Sequence, residues 1–429
     1  MRAIEEYIQM AHAAGFLPEV RVIHGASTDP VVTFAGGRTA LLFCSSNYLG
    51  LANHPEVKAA VAEAAVVYGV GANGSRLISG TTDLHVALEQ ATASFKGADA
   101  ARAFSTGFMA AMGTIAAFAY TPHFARMCGV SLCGTTPAAV VLCDALNHAS
   151  IIDGCRSARA KTAYYAHGDM DMLEEKLRQN RGKRLLIVTD GVFSMDGDIA
   201  PLPDILSLAR DHGAVVMIDD AHASGVLGSS GKGTLEHFGL EADGDVLQMG
   251  TYSKSFGSMG GFVTGGADIM EYLSFAARPY MFSAALPPCL AAGIIKAIEI
   301  AGREPERRVR LWALRDYLVD NLQSLGFDTL GSETPIIPIA IGDDAMAATI
   351  SQELFERGLF APSVQWPAVA RGQSRIRITL MASHEREHLD RLIESLEDLG
   401  KKHGIIPSQS LPAGLPGAIS CRTEALPIL

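Results

Sequence analysis

Four short apolar runs recur along the middle of this 429-residue chain, and helical segments separate them. Each run closes in Asp or Gly: AAVVLCD (138–144), RLLIVTD (184–190), AVVMIDD (214–220) and DVLQMG (245–250). A strand that is apolar throughout has to be covered on both faces, and helices between such strands supply that cover. The pattern therefore predicts an α/β fold with a mostly parallel central sheet and helices on both faces.

The chain divides into four predicted parts. A helix to about residue 14 and two short strands, VVTF and ALLFCS, precede the sheet region, and a long helical stretch follows FSAALPP at about 288–326. A non-periodic stretch with turn residues, 121–139, is interpreted as a loop. The parts are an N-terminal arm with its lead-in strands (1–54), a large domain that binds the cofactor inferred below (55–287), a smaller C-terminal α+β domain (288–407) and a flexible tail (408–429).

Composition argues against several classes of protein. Hydrophobic residues make up 48% of the chain and charged residues 19%, so most of it is expected to fold. The net charge of -11 disfavours nucleic acid or an acidic membrane surface as a partner. No apolar run reaches the roughly 18 residues of a membrane span. Seven scattered cysteines without a CxxC pair, and a start unlike a signal peptide, predict a cytoplasmic protein with reduced thiols.

Charged side chains follow two of the apolar runs. Asp219 and His222 follow AVVMI, and Lys254 follows DVLQM inside GTYSKSFGSMGGF (250–262), a loop of small residues. Ligands bind beyond the carboxyl ends of parallel strands, so these side chains are expected to meet. A carboxylate at the tip of a buried strand needs a positive partner. A desolvated lysine has a lowered pKa and can form imines at neutral pH.

Two further features indicate a phosphate site and a flat ring. Ser105, Thr106 and Gly107 open a helix, whose backbone N–H groups can hold a phosphate, and His148 follows the run AAVVLCD. Each feature alone also fits a helix cap, a surface charge or a structural histidine. Together, a strand-end carboxylate, an imine-forming lysine, a phosphate site and a histidine that can stack on a ring fit pyridoxal 5′-phosphate (PLP).

Eight segments resemble the α-oxoamine synthases, a family of fold-type I PLP-dependent transferases. That family includes 8-amino-7-oxononanoate synthase, 2-amino-3-ketobutyrate CoA ligase and serine palmitoyltransferase. The segments are SSNYLGLANHP (45–55), GANGSRLISGTTDLHVALE (71–89), DALNHASIIDG (144–154), DGVFSMDGDIAPL (190–202), IDDAHASGVLG (218–228), GTYSKSFGSMGGF (250–262), FSAALPP (282–288) and SRIRITLMASH (374–384). The resemblance implies the fold-type I architecture, with its central sheet and smaller C-terminal domain, and no metal.

The resemblance implies roles for four catalytic residues. Lys254 would hold PLP covalently and act as acid and base at the substrate Cα. Asp219 would pair with the pyridine nitrogen, and His222 would hydrogen-bond the 3′ oxygen. His148 would stack on the ring face.

Further residues match the family's cofactor positions. Gly107 and Phe108 would form the phosphate-binding turn, and Thr251 would add a hydroxyl to it. Ser194 would lie close to the ring. Ser283 matches a position that reaches the phosphate from the neighbouring subunit, which implies a homodimer with active sites at the subunit interface.

The resemblance also implies the reaction. Asn47 and Arg377 would hold the carboxylate of a small amino acid, and Arg375 lies two residues earlier on the same strand. The amino acid would condense with an acyl-CoA and lose its carboxylate, giving an α-aminoketone, CoA and CO2. The amino acid (glycine, alanine or serine) and the acyl group stay open.

Three alternatives have to be weighed against these residues. A PLP-dependent aminotransferase would share Lys254 and Asp219. A carrier-protein thioester could replace CoA. A non-catalytic partner subunit would normally lack the lysine, so the presence of Lys254, His148 and His222 disfavours it.

Overall fold

The computed structural model describes residues 2–13, 20–127, 129, 138–158 and 160–407. The helices are α1 (Arg2–Ala13), α2 (Pro55–Tyr68), α3 (Asp83–Lys96), α4 (Gly107–Met127), α5 (Ala149–Ala158), α6 (Met170–Gln179), α7 (Leu202–His212), α8 (Thr234–His237), α9 (Ala267–Ala276), α10 (Arg278–Phe282), α11 (Pro288–Arg303), α12 (Glu306–Leu325), α13 (Asp344–Glu356) and α14 (Arg386–Lys402). The strands are β1 (Ile23–His24), β2 (Val31–Phe34), β3 (Thr39–Leu42), β4 (Ala100–Phe104), β5 (Ala139–Asp144), β6 (Lys161–Tyr165), β7 (Arg184–Asp190), β8 (Val215–Asp219), β9 (Val246–Thr251), β10 (Gly261–Gly265), β11 (Ile336–Gly342), β12 (Leu359–Phe360), β13 (Ser363–Val364) and β14 (Ser374–Thr379).

A seven-stranded sheet lies at the centre of the fold. Its strand order is β4-β10-β9-β8-β7-β5-β6, and the neighbours from β9 to β6 are parallel. The four apolar runs are β5, β7, β8 and β9, which confirms the predicted mostly parallel sheet. Within this sheet, β10 is antiparallel to both of its neighbours, β4 and β9. The carboxyl ends of β4, β5, β7, β8 and β9 therefore meet at one edge of the sheet.

Strand β5 illustrates why the sheet needs helices on both faces. All six of its residues are buried. Val141 and Cys143 belong to one apolar core with residues of α4 and α5, whereas Val140 and Leu142 belong to another with residues of α6 and α7. Each buried aliphatic side chain of this size contributes about 1.5–3 kcal/mol. A strand that is apolar on both faces is thus stable only between two helical layers.

The C-terminal part of the chain adds a smaller antiparallel sheet. Its order is β11-β14-β13, and α12, α13 and α14 contribute buried residues to the core around it. The predicted lead-in strands VVTF and ALLFCS correspond to β2 and β3. They form a four-stranded sheet with β1 and with β12, which comes from the C-terminal part. The predicted domain boundaries stay a prediction.

Two predicted segments differ from the structure. The stretch 121–139 was expected to be a loop, but α4 continues through Met127. Most of the remaining stretch lies outside the described residues, as does the predicted tail 408–429. The helical stretch 288–326 is two helices, α11 and α12. They separate at Pro305, which has no backbone N–H to continue the first.

Among the described residues, no helix is both long and apolar enough to cross a membrane.

Candidate active site

A cavity of about 300 Å³ opens at the carboxyl edge of the central sheet. It is lined by Thr106, Gly107, Phe108, His148, Ser150, Asp190, Val192, Ser194, Asp219, Ala221, His222, Met249, Thr251, Ser253 and Lys254. Eight of the predicted site residues are therefore brought together here. Their positions follow from the topology, since the lining residues stand at or just after the ends of neighbouring strands.

Lys254 and Asp219 have shifted pKa values for the same physical reason. Burial lowers the pKa of Lys254 to about 8, against the opposing charges of Asp219 and Asp190. Burial also raises the pKa of Asp219 to about 6, although Lys254 and the Ala221 N–H favour its ionised form. At neutral pH the carboxylate is therefore mostly ionised, and the amine is mostly protonated but within about one pH unit of its midpoint.

Asp190 is a second carboxylate in the cavity that the sequence interpretation missed. It closes β7 and stands directly opposite Asp219 in the pairing of β7 with β8. Burial, and then the charge of Asp219, raise its pKa well above the ordinary value. The sequence does carry a signal for Asp190, because the apolar run RLLIVTD ends in Asp just as AVVMID does.

The two histidines of the cavity are held by their Nδ1 atoms. The backbone N–H of Ser150 donates to Nδ1 of His148, and the Ser150 hydroxyl lies 2.8 Å from the same atom. Nδ1 of His222 lies 2.6 Å from the hydroxyl of Tyr48. Burial lowers the pKa of both rings, and the nearby charge of Lys254 acts in the same direction, so both are neutral at pH 7. Tyr48 was also missed, although it follows Asn47 in SSNYLG.

The start of α4 forms a narrow cradle beside β9. A Cβ added at Gly107 would lie 3.1 Å from Cβ of Thr251, and one added at Gly261 would lie 2.4 Å from Cα of Gly107. The hydroxyls of Thr251 and Ser253 line the same cavity as this helix start, and Oγ1 of Thr251 lies 2.7 Å from Oγ of Ser253. Free N–H groups at a helix start together with hydroxyls are a common phosphate site. Ser253 is a further residue that the sequence interpretation did not assign.

The structure distinguishes the two arginines of β14. Arg375 is buried and ion-paired, with its Nη1 2.5 Å from Oδ1 of Asp196. Arg377 donates from Nε to the carbonyl of Ser194 and from Nη1 to Oγ1 of Thr379. Its Nη2 has no protein partner within the part of the chain that the structure describes. Arg377 therefore keeps a donor for a ligand carboxylate.

Asn47 lies in a buried turn rather than in the cavity lining. Its Oδ1 accepts the N–H of Ala52, and its Nδ2 donates to the carbonyl of Thr28 at 3.2 Å. One Nδ2 hydrogen is left for another acceptor. The structure does not place Asn47 against Lys254.

Ser283 lies apart from the cavity that holds Lys254. It lines a second, surface cavity of about 390 Å³ with residues 73–75, Leu77, Ile78, Met281, Phe282 and Ala284. Ile78 is 85% exposed and Phe282 is 68% exposed. Apolar side chains exposed together to this extent mark an interaction surface.

A buried ion pair anchors the strand end that carries Asp219 and His222. Nζ of Lys96 lies 2.8 Å from Oδ2 of Asp220, and both side chains are fully buried. The Thr234 hydroxyl donates to the other carboxylate oxygen of Asp220 at 2.6 Å. The end of β8 is thereby tied to the C-terminus of α3.

The residues of the cavity fit PLP. A helix start bordered by Thr251 and Ser253 suits its phosphate, and the ionised Asp219 suits a protonated pyridine nitrogen. A lysine amine with a pKa near 8 suits a covalent bond to its aldehyde carbon. The close approach at Gly107 leaves backbone rather than side chain facing the cradle.

Comparison with known proteins supports this fit. The family described as aminotransferase class I and II matches residues 38–396. An 8-amino-7-oxononanoate synthase from Geobacter sulfurreducens is 43% identical over 408 residues, 94% of this chain and 100% of the relative. Another, from Symbiobacterium thermophilum, is 46% identical over 86% of this chain and 91% of its own. A serine palmitoyltransferase from S. paucimobilis, solved with bound PLP and myriocin, is 32% identical and covers 94% and 98%, with a TM-score of 0.84.

We expect Lys254 of the apoprotein to react with aldehydes at unusually low pH. The nucleophile is the neutral amine, so its yield should be half-maximal near pH 8, about two units below that of a lysine peptide. Cyanoborohydride trapping of a small aldehyde from pH 6 to 11, with mass spectrometry of the peptide that contains Lys254, measures this. Exposed Lys58 in the same digests is the internal control. A half-maximum near pH 10 at Lys254 would contradict the lowered pKa.

Proposed function

This chain belongs to the α-oxoamine synthases, PLP-dependent acyltransferases of fold type I within the aminotransferase class I and II family, and from that premise we propose the roles of its residues and its substrates. Enzymes of this group condense an amino acid with an acyl thioester, in most members with release of CO2. One observation supports this proposal most strongly. A single cavity is lined by Lys254, Asp219, His222 and His148 together with the helix start that can bind a phosphate.

Lys254 and Asp219 are proposed as the two central catalytic groups. When bound, PLP withdraws electrons from the substrate Cα, so that bonds at this carbon break more easily. Lys254 would hold the cofactor between turnovers and move a proton at Cα, for which a pKa near 8 is well matched to neutral pH. Asp219 is ionised above about pH 6 and would keep the pyridine nitrogen protonated.

The remaining cavity residues are proposed to position the cofactor. The N–H groups of Gly107 and Phe108, with the hydroxyl of Thr251, would bind the phosphate, and Ser253 is added to them because its hydroxyl lies beside that of Thr251. Ser194 would stand near the ring.

His222 and His148 would contact the ring from different sides. His222 would donate to the 3′ oxygen, and His148 would cover a ring face. Both are neutral at pH 7, so neither repels the positive charge expected at a protonated pyridine.

Arg377 and Asn47 are proposed to bind the substrate carboxylate. Supporting this, Nη2 of Arg377 has no partner among the described residues, whereas Arg375 is ion-paired with Asp196. Burial is the main cause of the lowered pKa of Lys254, and the charges of Asp219 and Asp190 oppose it. The charge of Arg377 lowers this pKa as well, so Arg377 lies within electrostatic reach of the amine.

We also propose that the enzyme is a homodimer. Ser283 lies in a different cavity from Lys254, and exposed Leu77, Ile78 and Phe282 surround it. A second copy seated on this surface would bury these side chains and bring Ser283 towards its partner's phosphate site. A cytoplasmic location is proposed as well, supported by the cysteines that the structure describes, Cys44, Cys143, Cys155 and Cys289, which are all free thiols.

The proposed thioester is acyl-CoA, and the first substrates to test are alanine and a seven-carbon dicarboxylic acyl-CoA. These two would combine, with loss of CO2, into the product in the name of the relatives from Geobacter sulfurreducens and Symbiobacterium thermophilum. Glycine and serine with acyl-CoAs of rising chain length complete the set.

Purified holoenzyme is expected to release CoA thiol and CO2 in equal amounts with at least one of these pairs. The Lys254→Ala variant should lower the rate by at least about 10²–10⁴, because the proton transfer at Cα is lost. The measurement is a thiol-release assay with mass spectrometry of the product. Absence of release for every pair, with PLP bound, would contradict acyl-CoA as substrate. Keto acid formed from the amino acid without any thioester would instead indicate an aminotransferase.

Arg377→Lys should raise KM for the amino acid about 10- to 100-fold, because a charged hydrogen bond to the carboxylate is lost. Steady-state kinetics at saturating thioester measures this. Arg375→Lys is the matched control, since its partner is Asp196, and its KM should stay within about threefold. If only Arg375→Lys raises KM, the carboxylate belongs to Arg375.

Ile78→Glu should weaken dimerisation at least about tenfold, because a carboxylate would be buried against the apolar surface of the second copy. Analytical ultracentrifugation of both proteins over a dilution series measures the change. Val309→Glu is the control, because Val309 is also exposed, at 68%, but belongs to α12 and does not line the Ser283 cavity. Equal dissociation constants for wild type and Ile78→Glu would rule this surface out.

A further inference from the structure

Tyr48 makes a buried contact with His222 across 174 residues of chain. The phenol oxygen lies 2.6 Å from Nδ1, and the two rings meet edge to face with centroids 6.0 Å apart. Tyr48 is 1% exposed and His222 9%. The backbone N–H of Ala382 donates to the carbonyl of Tyr48 at 2.7 Å, so the tyrosine is fixed from the C-terminal part of the chain as well.

The Tyr48 phenol keeps its proton at neutral pH. Burial raises its pKa to about 12, although the Arg377 charge and the Ser46 hydroxyl lower it. Nδ1 of His222 is the one hydrogen-bond partner of the phenol oxygen among the described residues. If Nδ1 carried the ring proton, the buried hydrogen of the phenol would be left without this acceptor, which is unfavourable. The proton of Tyr48 is therefore directed to Nδ1 of His222.

The His222 ring is neutral and therefore carries one proton on one of two nitrogens. Burial holds its pKa well below the ordinary value, and the groups that face it, Lys254, Arg377 and His148, lower it further. Nε2 has no protein partner among the residues that the structure describes. If Nδ1 accepts from Tyr48, the ring proton must sit on Nε2.

We propose that Tyr48 is a positioning residue that donates to Nδ1 of His222 and holds the ring in the tautomer protonated on Nε2. This rests on the proposed function, in which His222 contacts the 3′ oxygen of the cofactor. In that tautomer Nε2 offers a hydrogen-bond donor to this oxygen, and in the other tautomer it would offer a lone pair. The hydroxyl of Tyr48 thus determines whether His222 can play its role.

The tautomer can be read directly by ¹⁵N NMR of histidine-labelled apoprotein, with His222→Gln to assign the signal. Wild type should show His222 protonated on Nε2, with Nδ1 unprotonated. In Tyr48→Phe the ratio of tautomers should move towards Nδ1–H by about two- to tenfold, as expected for loss of one hydrogen bond. A wild-type ring protonated on Nδ1, or an unchanged ratio in Tyr48→Phe, would overturn the proposal.

A second readout is the visible absorption band of the holoenzyme as a function of pH. A donor to the 3′ oxygen favours its deprotonated form, so Tyr48→Phe should raise the pH midpoint of the band by about 0.5 to 1 unit. Tyr252→Phe is the matched control. Its hydroxyl is equally buried but pairs with Thr92 at 2.7 Å, and its midpoint should equal that of wild type. An unchanged midpoint in Tyr48→Phe would also count against the proposal.

The two readouts remain informative in unfavourable cases. If Tyr48→Phe does not fold, the protonated nitrogen of wild-type His222 still decides the proposal. The tautomer is read without cofactor or substrate, so a failed condensation assay would count against the proposed function and leave this result standing.

Discussion

Two neighbouring carboxylates, Asp219 and Asp220, are buried at the end of β8, and each lies close to a different lysine. Asp220 is paired with Lys96 at 2.8 Å beneath the site, and Asp219 lines the cavity near Lys254. Removing one member of a buried ion pair costs about 3–5 kcal/mol, because the other charge is left uncompensated. The end of β8 must therefore contact Lys96 of α3 on one side and the loop that carries Lys254 on the other. The cofactor cavity is the space that this arrangement leaves open.

Burial acts on the acid and the base of this cavity in opposite directions. It raises the pKa of Asp219 to about 6 and lowers that of Lys254 to about 8, and each group partly offsets the shift of the other. Between these values the carboxylate is ionised and the amine can both give and take a proton. Acid–base groups work best when their pKa lies near the working pH. The burial of Asp219 and Lys254 thus shifts their pKa values towards those that the chemistry of the family needs.

Much of the fold could be predicted because its signals are local. Runs such as RLLIVTD are apolar on both faces, and only a covered strand of a parallel sheet accommodates them. The errors arose where the local signal was ambiguous. The stretch 121–127 looked like a loop because of its turn residues, yet it continues α4. The long helical pattern of 288–326 also hides a break at Pro305, where a proline cannot continue the preceding helix.

The sequence by itself determined the sheet and the residue types at its edge, because parallel strands bring their carboxyl ends together whatever else the chain does. It could not determine which of these side chains pair. Tertiary structure alone placed Asp190 opposite Asp219, gave Arg375 rather than Arg377 an acidic partner, and set Tyr48 against His222. Such contacts join residues up to 179 positions apart. They depend on how helices and strands pack against one another once formed, and no local pattern of hydrophobicity or charge carries that information.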